Sequence, residues 1–286
     1  MLIRIAIGFN ALFLMIAAAG ASSAEPQWWQ VEKPLAERAQ AFGSHARGCL
    51  AGAVALADDG AGFQVVRPSR NRFFGHPELI DFVRAFAREV ERQGWAGLLV
   101  GDIAQPRGGP MRSGHASHQT GLDVDIWFRP APERPLSRTE RDALAAVSMV
   151  DSGGRAVDGG WSHREAALLR TAASDPRVAR IFVNPAIKQR LCQSGSGDRG
   201  WLQKIRPWWG HDSHFHVRLH CPADDRTCVD QTPPPPGDGC GDDLAWWFSE
   251  DAQRMAAERK ARTPADTPPI TLAELPAGCA PILMQP

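Results

Sequence analysis

The 286-residue chain contains no tyrosine, so no phenol is available as acid, base or nucleophile. It has no net charge either: 32 Lys and Arg balance 32 Asp and Glu, which selects no polyanionic partner and makes nucleic acid a poor fit. After the first 24 residues no apolar run approaches the roughly 20 residues needed to cross a bilayer. The six cysteines supply no pair of Cys-x-x-Cys knuckles, which argues against a structural zinc built from thiolates. The His-Glu-x-x-His helix found in many metallopeptidases is missing, so no glutamate is offered as general base. No internal repeat or regular strand–helix period is visible, which disfavours a doubly wound sheet.

What is present begins with a composition of 43% apolar and 22% charged residues, enough for a globular core. Residues 1–24 read as an export signal: Arg4 precedes an apolar stretch interrupted only by Gly8 and Asn10, and Ser22-Ser23-Ala24 offers small residues for cleavage. An even number of cysteines in an exported chain favours disulfides, although spacing alone singles out only Cys221 with Cys228. Amphipathic spacing predicts a helix over 77–93, a strand over 96–100 and a Gly/Pro-rich loop over 105–114. A second strand starts near Leu122, a helix is expected over 136–150, and Ser162 with Glu165 forms a capping box opening another that ends before Pro176. Strands are expected over 178–183 and 208–219, and a last helix from Trp246 into Arg259-Lys260-Ala261-Arg262. The irregular order predicts an α+β fold in one domain over 25–286, with a trailing tail from about 250.

Five of the nine histidines fall in two short windows, Gly114–Asp125 and Gly210–His216. The strand period of two sends His214 and His216 to one face, with Phe215 and Val217 opposite. Asp123 and Asp125 likewise share a face, and a turn at Gly121 can fold His118 back towards them. Imidazole and carboxylate together suit Zn²⁺, and a catalytic site needs three protein ligands and one open position. His118, Asp125 and His216 can supply that trio. His214, two residues before a ligand on the same face, is the candidate general base. His45, His76, His163 and His220 lack any partner pattern and read as structural, and Trp208-Trp209 reads as core, with a cleft wall as the alternative.

At these residues the chain resembles the penicillin-insensitive murein endopeptidases, within the wider group of lysostaphin-type peptidases, D-Ala-D-Ala carboxypeptidases and the hedgehog domain. The resemblance rests on His118-x6-Asp125 with Gly121 between, on His214-x-His216, on the run from Gln105 to Met111, and on Ser113 to Ile126. It implies a small antiparallel sheet with flanking helices, and zinc held by His118, Asp125 and His216. It further implies His214 as base or transition-state stabiliser with His211 assisting, and Asp123 orienting a ligand imidazole through its other nitrogen. His115 is either an auxiliary ligand or a contact to neighbouring groups and substrate. Arg107 and Arg112 are candidates to bind muropeptide carboxylates. The implied disulfides are Cys49–Cys279, Cys192–Cys240 and Cys221–Cys228. A second metal is not expected, because 151–158 contains no histidine.

The implied reaction is hydrolysis of the D-alanyl–diaminopimelyl amide of peptidoglycan in the periplasm, by a route with no activated serine for a β-lactam to acylate. A homodimer is compatible with the sequence. Two alternatives stay open: a D-Ala-D-Ala carboxypeptidase, which needs a cationic clamp for a free carboxylate, and a zinc-containing binding module without catalysis.

Overall fold

Helix α1 (Pro77–Arg92) forms where the apolar spacing is most regular, and it buries all seven apolar residues of that stripe, from Leu79 to Val90. Burial of each of the six larger ones contributes about 1.5–3 kcal/mol, and that of Ala87 less. His76 caps the helix, its Nδ1 accepting the Glu78 N–H, and Gly94 follows with φ +87°. The structure is a computed structural model that describes residues 27–112, 114–194, 197–262 and 268–286. The export signal over 1–24 lies outside the described residues. Among those described, no helix is long and apolar enough to cross a membrane.

The strands are β1 (Gln40–Ser44), β2 (Arg47–Ala51), β3 (Val54–Ala55), β4 (Asp59–Gly60), β5 (Phe63–Val65), β6 (Phe74–Gly75), β7 (Leu98–Val100), β8 (Asp123–Trp127), β9 (Val178–Val183), β10 (Ile205–Pro207) and β11 (His214–Leu219). Seven of them form one sheet in the order β10-β9-β11-β8-β7-β5-β4, an arrangement that makes the fold α+β. Its centre, β9-β11-β8-β7, is antiparallel. Parallel pairs β10-β9 and β5-β7 widen it on both sides, so the sheet is mixed rather than purely antiparallel. One face packs on α1 and α3 (His163–Ser174) through Phe82, Phe86, Val124, Ile126, Leu168, Phe215 and Val217. The Ser162–Glu165 capping box is formed as expected.

The helix expected over 136–150 is shorter: α2 (Arg138–Ala143) stops at Leu144, whose backbone is extended. The residues after it are drawn off by tertiary bonds, the Met149 N–H donating to the Asp212 carbonyl and Val150 bridging Val157. The strand expected over 208–219 is regular only from His214, because Gly210 and His211 both adopt positive φ and turn the chain.

After α4 (Pro185–Gln193), α5 (Asp242–Ala245) and α6 (Glu250–Ala261), the tail forms a further helix, α7 (Cys279–Met284), beyond the last one expected from the sequence. It packs on β2 in a second core with Trp28, Leu35, Ile282 and Leu283. The disulfide Cys49–Cys279 ties it there, and Cys192–Cys240 and Cys221–Cys228 complete the set implied by the resemblance.

His45 is buried with its Nε2 bonded to the Leu219 carbonyl, and burial pushes its pKa down to about 4. The unfolded chain binds this proton below the ordinary value near 6.5 and the folded chain only below about 4, so stability falls as pH drops through that window. The expected loss is about 3 kcal/mol. Urea titrations of metal-free protein between pH 7 and 4 test this: the acid loss should shrink by that amount in His45→Gln.

Candidate metal centre

The pairing of β8 with β11 builds the site. Its register sets His216 opposite Asp125 and Arg218 opposite Asp123. The alternation that sends Val124, Ile126, Phe215 and Val217 into the core leaves these four polar side chains on the other face, all buried. His118 reaches them from the preceding turn in a left-handed conformation, φ +67°. Asp123 Oδ2 holds that turn by accepting the His118 N–H at 2.9 Å. Gly121 closes it at φ +68°, where a Cβ would lie 2.4 Å from Leu50 and 2.9 Å from the His76 nitrogen, so glycine is required.

His118 Nε2, His216 Nδ1 and Asp125 Oδ1 converge, with separations of 3.1, 3.3 and 3.4 Å. The other ring nitrogens fix what these atoms are. His118 Nδ1 donates to the Ile103 carbonyl at 2.6 Å, and His216 Nε2 makes a 3.0 Å charge contact with Asp123 Oδ1. With both rings neutral and protonated on these outward nitrogens, each inward nitrogen presents a lone pair, and the carboxylate oxygen can only accept. Asp125 Oδ1 is buried and finds no hydrogen-bond donor among the described residues. Three such acceptors facing one another suit a cation between them. Zinc–ligand distances of about 2.0–2.1 Å put the corners of a tetrahedral site about 3.3–3.4 Å apart, which these separations match.

The charges agree. Burial alone raises the Asp125 carboxyl, but His214, His118 and His115 around it hold it well below the usual carboxylate range. Burial likewise raises Asp123, and Arg218, His45 and His216 outweigh it. Burial lowers His216, yet Asp123 and Asp125 raise it above its ordinary value, so this spot attracts positive charge.

His115, His118 and Asp125 form a looser overlapping set, with ligand atoms all within 4.8 Å. The set through His216 is tighter, and His115 Nε2 is already 2.9 Å from Asp102 Oδ2 and 3.6 Å from Asp125 Oδ2. His214 lies at the solvent side, its Nε2 3.6 Å from Asp125 Oδ2 and its side chain 25% exposed. His211 packs against it with ring centroids 5.1 Å apart, Nδ1 bonded to the Trp209 carbonyl. Burial lowers the pKa of both, that of His211 to about 3.

A cleft of about 650 Å³ opens over this group, lined by His115, His211 and His216 together with Trp208, Trp209 and Arg259. Trp208 is 38% exposed, so this pair serves as cleft wall rather than core. Arg107, expected beside the substrate, is turned away. It is buried and donates to the carbonyls of Lys33, Ile282, Leu283, Gln285 and Pro286, clamping α7. A guanidinium so engaged has no edge left for a ligand. Arg112 is exposed on the same loop, outside the residues that line the cleft.

Three contributors were not apparent from sequence. Asp102, just after β7, accepts from His115, Arg70 and Arg72 and so sets the His115 ring. Arg218 clasps Asp123 through Nε and Nη2 at 2.7 and 3.2 Å; its place two residues after His216 was a usable signal. Phe182 of β9 packs edge-on to His216 at 5.3 Å.

Asp123 thus steadies both histidines of the tight trio. Asp123→Asn is expected to weaken metal affinity by about 10–100-fold, read by competition with a chromogenic chelator. Unchanged affinity would remove Asp123 from the site.

A family model described as penicillin-insensitive murein endopeptidase matches residues 41–284. Curated relatives of that name are 42% identical in Klebsiella pneumoniae strain 342, over 96% of both chains, and 43% identical in Haemophilus influenzae, over 92% of both. A third, from Yersinia enterocolitica, is 45% identical over 83% of this chain and 86% of its own.

Proposed function

Because the chain belongs to the penicillin-insensitive murein endopeptidase family, we propose that it is a periplasmic zinc endopeptidase hydrolysing D-alanyl–diaminopimelyl cross-links of peptidoglycan. In this reading residues 1–24 are removed on export and 25–286 act as one domain. The observation that carries it is the convergence of three lone-pair atoms, from His118, Asp125 and His216, at separations of 3.1–3.4 Å beneath an open cleft. A zinc ion bound there supplies Lewis acidity at the scissile carbonyl and an acidified water at neutral pH.

The chain's own groups do the rest. His118 and His216 keep their inward nitrogens free because Ile103 and Asp123 hold the outward ones. His214, at the open side of the trio, takes the proton of the attacking water and returns it to the leaving amine. His211, beside His214 on a left-handed turn, gives its Nδ1–H to the Trp209 carbonyl and so offers Nε2 as an acceptor next to His214. His115, fixed by Asp102, borders the opening from the opposite loop.

The test is to incubate zinc-loaded mature protein with purified dimeric muropeptides, with and without chelator. Chelator-sensitive conversion of dimers to monomers supports the endopeptidase. Release of terminal D-alanine alone would replace it with the carboxypeptidase, and metal-loaded protein that cleaves neither would leave a binding module.

A further inference from the structure

The lining of the cleft is basic. Among the described residues that line it there is no Asp or Glu, while α6 contributes Arg259 and Lys260. Two other arginines near the site are already engaged, Arg218 by Asp123 and Arg107 by α7 carbonyls. Arg259 is not: it forms no ion pair to a carboxylate among the described residues, and its guanidinium lies 5.8 Å from the ring centroids of both Trp208 and Trp209. Seated on two indoles, it is held in place by cation–π attraction while its N–H donors stay available. Trp209 in turn packs on Trp247 at 4.8 Å, so the support is built from two separate segments.

We propose that Arg259 and Lys260 form the subsite that recognises a free carboxylate of the cross-linked peptide. This rests on the peptidase reading above and assigns the substrate's charge to cleft residues outside the metal trio. A planar guanidinium matches a carboxylate bidentately, and the neighbouring ammonium adds a second charge-assisted donor. An anionic peptide lying across the histidine wall thereby gains a fixed anchor, which selects substrates with an unblocked acid near the scissile amide.

Titration calorimetry of zinc-loaded protein with a monomeric muropeptide, in free-acid and amidated forms, tests this. Proteins compared are the wild type, Arg259→Ala, Lys260→Ala, the double variant, and Arg254→Ala as a control on the same helix outside the cleft. Amidation should weaken wild-type binding about tenfold or more. The double variant should bind both forms equally and as weakly as the wild type binds the amide, and Arg254→Ala should match the wild type. With dimeric substrate the double variant should raise KM by the same factor and leave kcat within about twofold. A double variant that keeps the preference for free acid, or a wild type that shows none, overturns the proposal. A wild type that binds with the preference but cleaves nothing would instead overturn the peptidase reading and leave the subsite standing.

Discussion

Alanine at His118, Asp125 or His216 is expected to abolish tight metal binding and to lower muropeptide hydrolysis by at least about 10⁴-fold, because an acidified water, pKa near 7 rather than near 15.7, is then lost. In the proposed site all three atoms are needed, since they lie 3.1–3.4 Å from one another and removal of any one leaves a two-ligand site. Asp125→Asn is the sharper probe. It keeps the side chain's shape but removes the charge that His214, His118 and His115 surround. Metal content by mass spectrometry under native conditions should fall from one ion per chain to none. Zinc add-back should restore chelated wild type and none of the variants. Stability gives a second readout: an ion at 1,000 times its dissociation constant stabilises the folded chain by about 4 kcal/mol, and that metal-dependent rise in Tm should vanish with the ligand. A variant that holds its ion and its rate would dismiss the residue from the site.

His214→Ala should act differently. Its Nε2 is 3.6 Å from Asp125 Oδ2, outside the tight trio, and its side chain is the one of the β11 pair that reaches solvent. Loss of a positioned general base costs about 10²–10⁴-fold in rate, so kcat should drop by that amount with metal content and KM near wild-type values. Single-turnover hydrolysis of a dimeric muropeptide, beside a metal assay on the same sample, separates the two effects. Loss of metal in His214→Ala would make it a ligand. Retention of the wild-type kcat would move the base to His211, whose ring is 5.1 Å away.

Much of this site could be read along the chain, and the residues show why. Alternation in a strand is local, so His214-Phe215-His216 and Asp123-Val124-Asp125 announced their shared polar faces before any partner was known. The Ser162–Glu165 capping box and the seven-residue stripe of α1 are short-range features of the same kind, and both formed as expected. The two histidine windows also marked the site as composite.

Other features needed the folded chain. The register that sets His216 against Asp125 joins strands about 90 residues apart, and pairing across such a gap depends on everything packed around it. Arg107 looked available because its neighbours in sequence are loop residues, but its five carbonyl partners are Lys33 and residues of the 282–286 segment, far from it in sequence. Leu144 ends a helix that its own spacing would have prolonged, because bonds from Met149 to the His211 segment outweigh a few tenths of a kcal/mol of propensity. Local order thus supplied the candidate ligand types and the faces they occupy. Which atoms meet, which cations stay free and which helix walls the cleft are consequences of long-range contacts, whose closure no nearest-neighbour pattern encodes.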